Sequence, residues 1–142
     1  MTITDPSDLA LIHKSLELAA EQFGDISPLV YKYFYATNPQ ASDLFGVKAV
    51  TEGRMFYEVL GVVLDHAEGR SYVASNLDAE VRYHKVYGVT VAMYQGYFNA
   101  IVDAMSEALG QAWTTKYHDA WQRNLSSIMK MVSRHATVHG MP

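Results

Sequence analysis

Apolar residues recur every three or four positions along most of the chain, and this rhythm restricts the fold more than any other feature. The clearest stripes run from Leu9 to Phe23, from Phe56 to Val63, from Tyr94 to Leu109 and from Tyr117 to Val132. Such spacing places apolar side chains on one face of an α-helix. The alternation typical of strands is not found between turn signals. We therefore predict an all-α fold of six to eight helices.

Helix boundaries are marked by capping residues, prolines and glycines. Asp5-Pro6, Ser27-Pro28 and Asn38-Pro39 each place a side chain that can cap a helix directly before proline. Proline is favoured at the first helical position because its missing N–H would have no partner there. Thr114 is a further candidate cap. Glycines stand where three helices are expected to end: Gly24, Gly69 and Gly110.

Composition bounds the class of protein. A chain of 142 residues with 49% hydrophobic residues suits a single domain, predicted to span 1–142. The net charge of -4 argues against a nucleic-acid partner. The chain has no cysteine, so disulfides and thiolate metal sites are excluded. Residues Met1–Asp8 lack the pattern of a signal peptide, and no apolar run approaches a membrane span. We expect a cytoplasmic protein without membrane contacts.

The segment Val81–Val89 carries the most informative histidine. His84 lies near the end of a short helix predicted to begin around Asn76 or Asp78, and Gly88 is expected to end that helix before a long one starts near Thr90. An imidazole at a helix C-terminus often only stabilises the helix dipole, by about 0.3–1 kcal/mol. The alternative is a ligand presented to a metal or cofactor.

Several motifs around His84 resemble those of one protein family. The string His-x-x-Tyr-Gly-Val at 84–89 is similar to the end of the proximal helix in bacterial globins. Asn38-Pro39 through Leu44-Phe45 resembles their C helix, and 58–63 resembles their distal E helix. Tyr31, fourteen positions before Phe45, and Tyr94, ten after His84, match tyrosines of flavohaemoglobin haem domains and related single-domain globins. The resemblance covers residues 8 to 137.

The resemblance implies a three-on-three globin fold and a bound haem b. It implies that His84 binds the iron and that Phe45 packs on the face of the porphyrin. It also implies that Tyr31 donates a hydrogen bond to bound dioxygen. It also places Val89 and Tyr94 among the cofactor-binding residues. Tyr31 could instead be an ordinary buried tyrosine with a satisfied hydroxyl.

The register of the distal helix is open. Counting from Phe45 gives Glu52 and Phe56 as pocket residues, whereas a shift by one gives Thr51 and Met55. Glutamate is a departure from the family pattern, since an ionised carboxylate would repel dioxygen and burial would raise its pKa. We expect Glu52 to point to water and Tyr31 to act alone.

The remaining histidines and the last helix suggest plainer roles. We expect His13, His66 and His118 to be solvated, and we expect His135 and His139 to belong to a frayed end. His66 also lies too far along its helix from the distal position to ligate the same iron. Flavohaemoglobins carry a proximal glutamate near His135 and Ala136, where this chain has no acid, and the chain is expected to lack their reductase modules.

The expected function is reversible binding of dioxygen and other diatomic ligands (CO, NO). Nitric oxide dioxygenase activity with an external reductase is a further expectation. The oligomeric state, monomer or homodimer, is open. The alternatives are a haem-based gas or redox sensor and a haem-free globin-like interaction module. Peroxidase activity is disfavoured because the sequence offers no distal histidine paired with an arginine.

Overall fold

A computed structural model describes residues 6–44 and 48–142, and within these ranges the chain is helical and has no strand. The all-α prediction is confirmed. Two short 3-10 helices accompany the α-helices, at Pro39–Leu44 and Gly110–Ala112. The α-helices are α1 (Pro6–Gln22), α2 (Ser27–Thr37), α3 (Lys48–Ala67), α4 (Val73–Val86), α5 (Val91–Leu109) and α6 (Thr115–His139).

Most predicted helix starts are confirmed, but the capping chemistry differs. α1 begins at Pro6, and a 3-10 helix begins at Pro39; the predicted cap Asp5 lies outside the described residues. Ser27 is the first residue of α2 rather than its cap, and the carboxylate of Asp25 accepts a hydrogen bond from the Ser27 N–H at 2.9 Å. Thr114 occupies the cap position of α6 without a side-chain cap bond.

The predicted stops lie where the chain reverses. Gly24, Gly69 and Gly110 all have positive φ, a conformation that favours glycine. α4 begins at Val73, several residues earlier than expected, because the apolar residues Val73 and Leu77 are buried and extend the helix toward its N-terminus.

The helices pack in the arrangement predicted as a three-on-three sandwich. α1 contacts α3, α5 and α6, while α2 packs on α5, and α4 packs on α6. Gly96 allows the end of α2 to pack closely on α5, since a Cβ at that position would meet the buried side chain of Asn38. One core cluster of buried side chains joins the helices.

A buried polar pair ties α1 to α6 inside this core. The indole Nε1–H of Trp121 donates to Ser15 Oγ at 2.8 Å, and Ser15 Oγ donates to the Ile12 carbonyl, also at 2.8 Å. Ser15 and Trp121 are fully buried. A tryptophan can lie at the centre of the core because its N–H has this partner.

We predict that Ser15→Ala lowers the free energy of unfolding by about 1–3 kcal/mol, because the buried indole N–H would lose its acceptor. Urea denaturation followed by circular dichroism measures the change. Ser126→Ala, at an exposed position of α6, is the control and should shift stability by less than about 0.5 kcal/mol. Equal stabilities of the two variants would contradict a structural role for the Ser15–Trp121 bond.

Candidate functional site

His84 lies in the last turn of α4, where the chain turns sharply into α5. Gly88 has φ +84°, and the Val89 N–H returns to the His84 carbonyl at 3.2 Å. Thr90 then caps α5 by accepting the Met93 N–H at 3.2 Å. This turn brings the first residues of α5 alongside the end of α4.

Tyr94 is thereby placed against His84. The Tyr94 hydroxyl lies 2.8 Å from His84 Nδ1, and the two rings meet edge to face. Burial and the nearby charge of Glu80 raise the pKa of Tyr94, so this phenol stays neutral. Because Nδ1 is engaged by Tyr94, the nitrogen left to coordinate a metal is Nε2.

A carboxylate also lies beside His84, although the sequence has none at the expected place on the last helix. Glu80 Oε2 is 3.8 Å from His84 Nδ1. The two residues are one turn apart on α4, the spacing at which side chains on a helix meet. Sequence reasoning missed Glu80 because it searched α6 for the acid.

The end of α6 is anchored on α4 rather than frayed, so that expectation was wrong. His139 Nε2 and His135 Nδ1 lie 2.6 and 3.2 Å from the same oxygen of Asp78, and the Val91 N–H donates to the Pro142 carbonyl at 2.8 Å. The hydrogen bond from His139 holds the pKa of Asp78 below its usual value. The Asp78 contacts fix the helix that carries His84, and the Val91 bond ties the end of the chain to α5.

Tyr31 lies in a cluster formed by phenols of α2 and α5 and by Glu52 of α3. Its side chain is only 3% exposed, and its hydroxyl donates to the main-chain carbonyl of Glu52 at 3.0 Å. The hydroxyl of Tyr97 donates to Tyr31 at 3.0 Å. Burial raises the pKa of both phenols, so both are neutral. Sequence reasoning missed Tyr97, whose helical spacing resembles that of ordinary core residues.

The expectation that Glu52 points to water was wrong, because a neighbouring phenol holds its carboxylate, while the expectation that Tyr31 acts alone toward a ligand stays a prediction. The Glu52 carboxylate accepts a hydrogen bond from the Tyr35 hydroxyl at 2.5 Å. Tyr35 also packs its ring on that of Tyr31, with centroids 5.6 Å apart. The Tyr35 hydroxyl therefore holds the Glu52 carboxylate, while the Glu52 main-chain carbonyl accepts the hydrogen bond from Tyr31.

The other predicted pocket residues have these positions. Phe56 is buried one turn after Glu52, whereas Thr51 and Met55 are half-buried. Val89 is half-buried against the core. Phe45 lies outside the described residues. The register of the distal helix stays a prediction.

His66 is not solvated as expected. Its Nε2 lies 2.8 Å from Ser127 Oγ on α6, and burial lowers its pKa. His66 therefore belongs to the packing of α3 on α6.

The residues around His84 fit a haem in their donor chemistry. Haem iron takes four ligands from the porphyrin and needs from a globin one axial imidazole, and His84 offers Nε2. Partly buried apolar side chains on α3 and α5 can contact a macrocycle, among them Met55, Val59 and Val91. Within residues 6–44 and 48–142, no cluster of three or more His, Cys, Asp or Glu is suited to a bare metal ion.

No helix in the described part of the chain combines the length and apolar character that crossing a membrane requires. None of the curated proteins matches the chain. A family model described as globin matches residues 29–132, a range that includes Tyr31, His84 and Tyr94. This match spans well over half of the 142 residues, and the described helices have the fold that it implies. The chain therefore belongs to the globin family, whose members are typically haem-binding, gas-binding proteins.

Proposed function

We propose that His84 binds the iron of haem b and that the protein reversibly binds dioxygen, CO and NO beside Tyr31. The observation that carries this proposal is the 2.8 Å contact between His84 Nδ1 and Tyr94. It supports a tautomer in which Nδ1–H donates to the phenol and the Nε2 lone pair is free for iron. A partner on the second ring nitrogen fixes the orientation of a metal-binding histidine and raises its basicity.

Tyr31 is suited to stabilise a polar ligand. Burial raises the pKa of the Tyr31 phenol, so Tyr31 retains the proton that it must donate to a ligand. A fixed donor in a site shielded from water stabilises partial negative charge on a ligand far better than an exposed donor does. The Tyr31 proton is directed at the Glu52 carbonyl, so a ligand gains this hydrogen bond by replacing that acceptor.

We predict that His84→Ala abolishes axial coordination, because Ala offers no donor to the iron. Purified apoprotein would be titrated with haem, reduced and exposed to carbon monoxide while absorption spectra are recorded. Wild type should bind one equivalent and convert cleanly from a five-coordinate ferrous form to a carbonyl form. His118→Ala, at a partly buried histidine of α6, is the control and should behave as wild type. Failure of wild type to bind haem stoichiometrically, or an unchanged spectrum in His84→Ala, would contradict the proposal.

The same pocket supports a nitric oxide dioxygenase activity, NO + O2 + e⁻ → NO3⁻. The likeness to flavohaemoglobin haem domains and the donor hydroxyl of Tyr31 both favour it, since slow release of dioxygen gives NO time to react. A haem held by His84 would supply the binding of dioxygen and one electron for its reaction with NO, and an external reductase would have to replace that electron in sustained turnover.

We predict that reduced, haem-loaded protein equilibrated with dioxygen forms about one nitrate per haem when mixed with NO. Tyr31→Phe should form less nitrate at limiting dioxygen, because the ligand escapes sooner without the donor. Tyr33→Phe removes a phenol that is bonded to Glu107 on the surface and should match wild type. Stopped-flow mixing with nitrate analysis decides the point, and wild-type protein that consumes no NO would exclude the activity.

A further inference from the structure

α5 presents two tyrosines one turn apart, and each contacts a residue that the proposed function uses. Tyr94 contacts His84, while Tyr97 donates to the hydroxyl of Tyr31 at 3.0 Å. Tyr97 is 3% exposed, and its ring meets those of Tyr31 and Phe34 edge to face at centroid distances of 5.6 and 5.2 Å. The Tyr97 ring is thus packed against two other rings, and this packing fixes the position of its hydroxyl.

The direction of these hydrogen bonds follows from the groups involved. A carbonyl oxygen can only accept, so Tyr31 must donate its single proton to the Glu52 carbonyl. The proton between the two phenols must therefore come from Tyr97. Tyr31 accepts from one side and donates to the other, and its O–H is directed away from Tyr97.

We propose that Tyr97 is a positioning residue that orients the Tyr31 hydroxyl and strengthens it as a hydrogen-bond donor to a diatomic ligand; this inference rests on the proposed function. A hydroxyl that accepts a hydrogen bond becomes a better donor, because bonds in a chain polarise one another. The Tyr97 bond also occupies one side of the Tyr31 oxygen, so the Tyr31 proton is kept on the side of Glu52.

Removing only the Tyr97 hydroxyl isolates this effect from packing. Tyr97→Phe keeps the ring between Tyr31 and Phe34, so the core contacts survive. The expected result is a rise of about twofold in the dioxygen dissociation rate, because the hydrogen bond from Tyr31 to the ligand remains and only its strengthening by Tyr97 is lost; Tyr31→Phe should raise the rate further. Carbon monoxide accepts hydrogen bonds poorly, so its dissociation rate should change much less.

The experiment compares haem-loaded wild type, Tyr97→Phe, Tyr31→Phe and the double variant by stopped-flow ligand replacement. In the Tyr31→Phe background, Tyr97→Phe should have no further effect, because its action passes through the Tyr31 hydroxyl. Tyr33→Phe is the matched control, since it also deletes one phenolic hydroxyl but lies at the surface. Its rates should equal those of wild type.

The C–O stretching band of the carbon monoxide complex gives a spectroscopic readout that a purely structural role would not move. A donor near the ligand lowers this frequency, so the band should rise in Tyr97→Phe and rise further in Tyr31→Phe. An unchanged band and an unchanged or slower dioxygen release in Tyr97→Phe, with Tyr31→Phe still accelerated, would overturn this inference alone. If wild-type protein does not bind haem through His84, the proposed function itself is overturned.

Discussion

The hydrogen bond between Tyr94 and His84 is the contact on which the rest of the site depends. It joins the end of α4 to the start of α5 at 2.8 Å, and it leaves one imidazole nitrogen free to coordinate a metal. The contact exists because Gly88 reverses the chain at positive φ and Thr90 starts the next helix at once. A longer connection would separate the two side chains.

α5 links this proximal contact to the phenol cluster around Tyr31. Because Tyr94 and Tyr97 are three residues apart on one rigid helix, a displacement of α5 moves both together. α4 is held independently through Asp78, to which His135 and His139 of α6 are bonded. The helix that carries the proposed iron ligand is therefore fixed at both its N-terminal half and its C-terminal end.

The fold could be predicted from the sequence because helical periodicity and proline or glycine boundaries are local signals. His84, Tyr31 and Tyr94 could be singled out because their spacing resembles that of flavohaemoglobin haem domains. Tyr97 and Glu80 were not, since a tyrosine in an apolar stripe and a glutamate in a helix have the same local pattern whether or not they contact a site. The partners of Glu52 and of His139 depend on how helices far apart in sequence meet, which periodicity does not specify.

His84, held by Tyr94, is the proposed iron ligand. Resonance Raman spectra of the ferrous haem-loaded protein test it most directly through the iron–histidine stretching band. We predict that wild type shows the band and that Tyr94→Phe moves it to lower frequency, because Nδ1 loses its partner and the imidazole becomes a weaker ligand. The absence of the band in wild type, or a frequency that does not respond to Tyr94→Phe, would contradict the account.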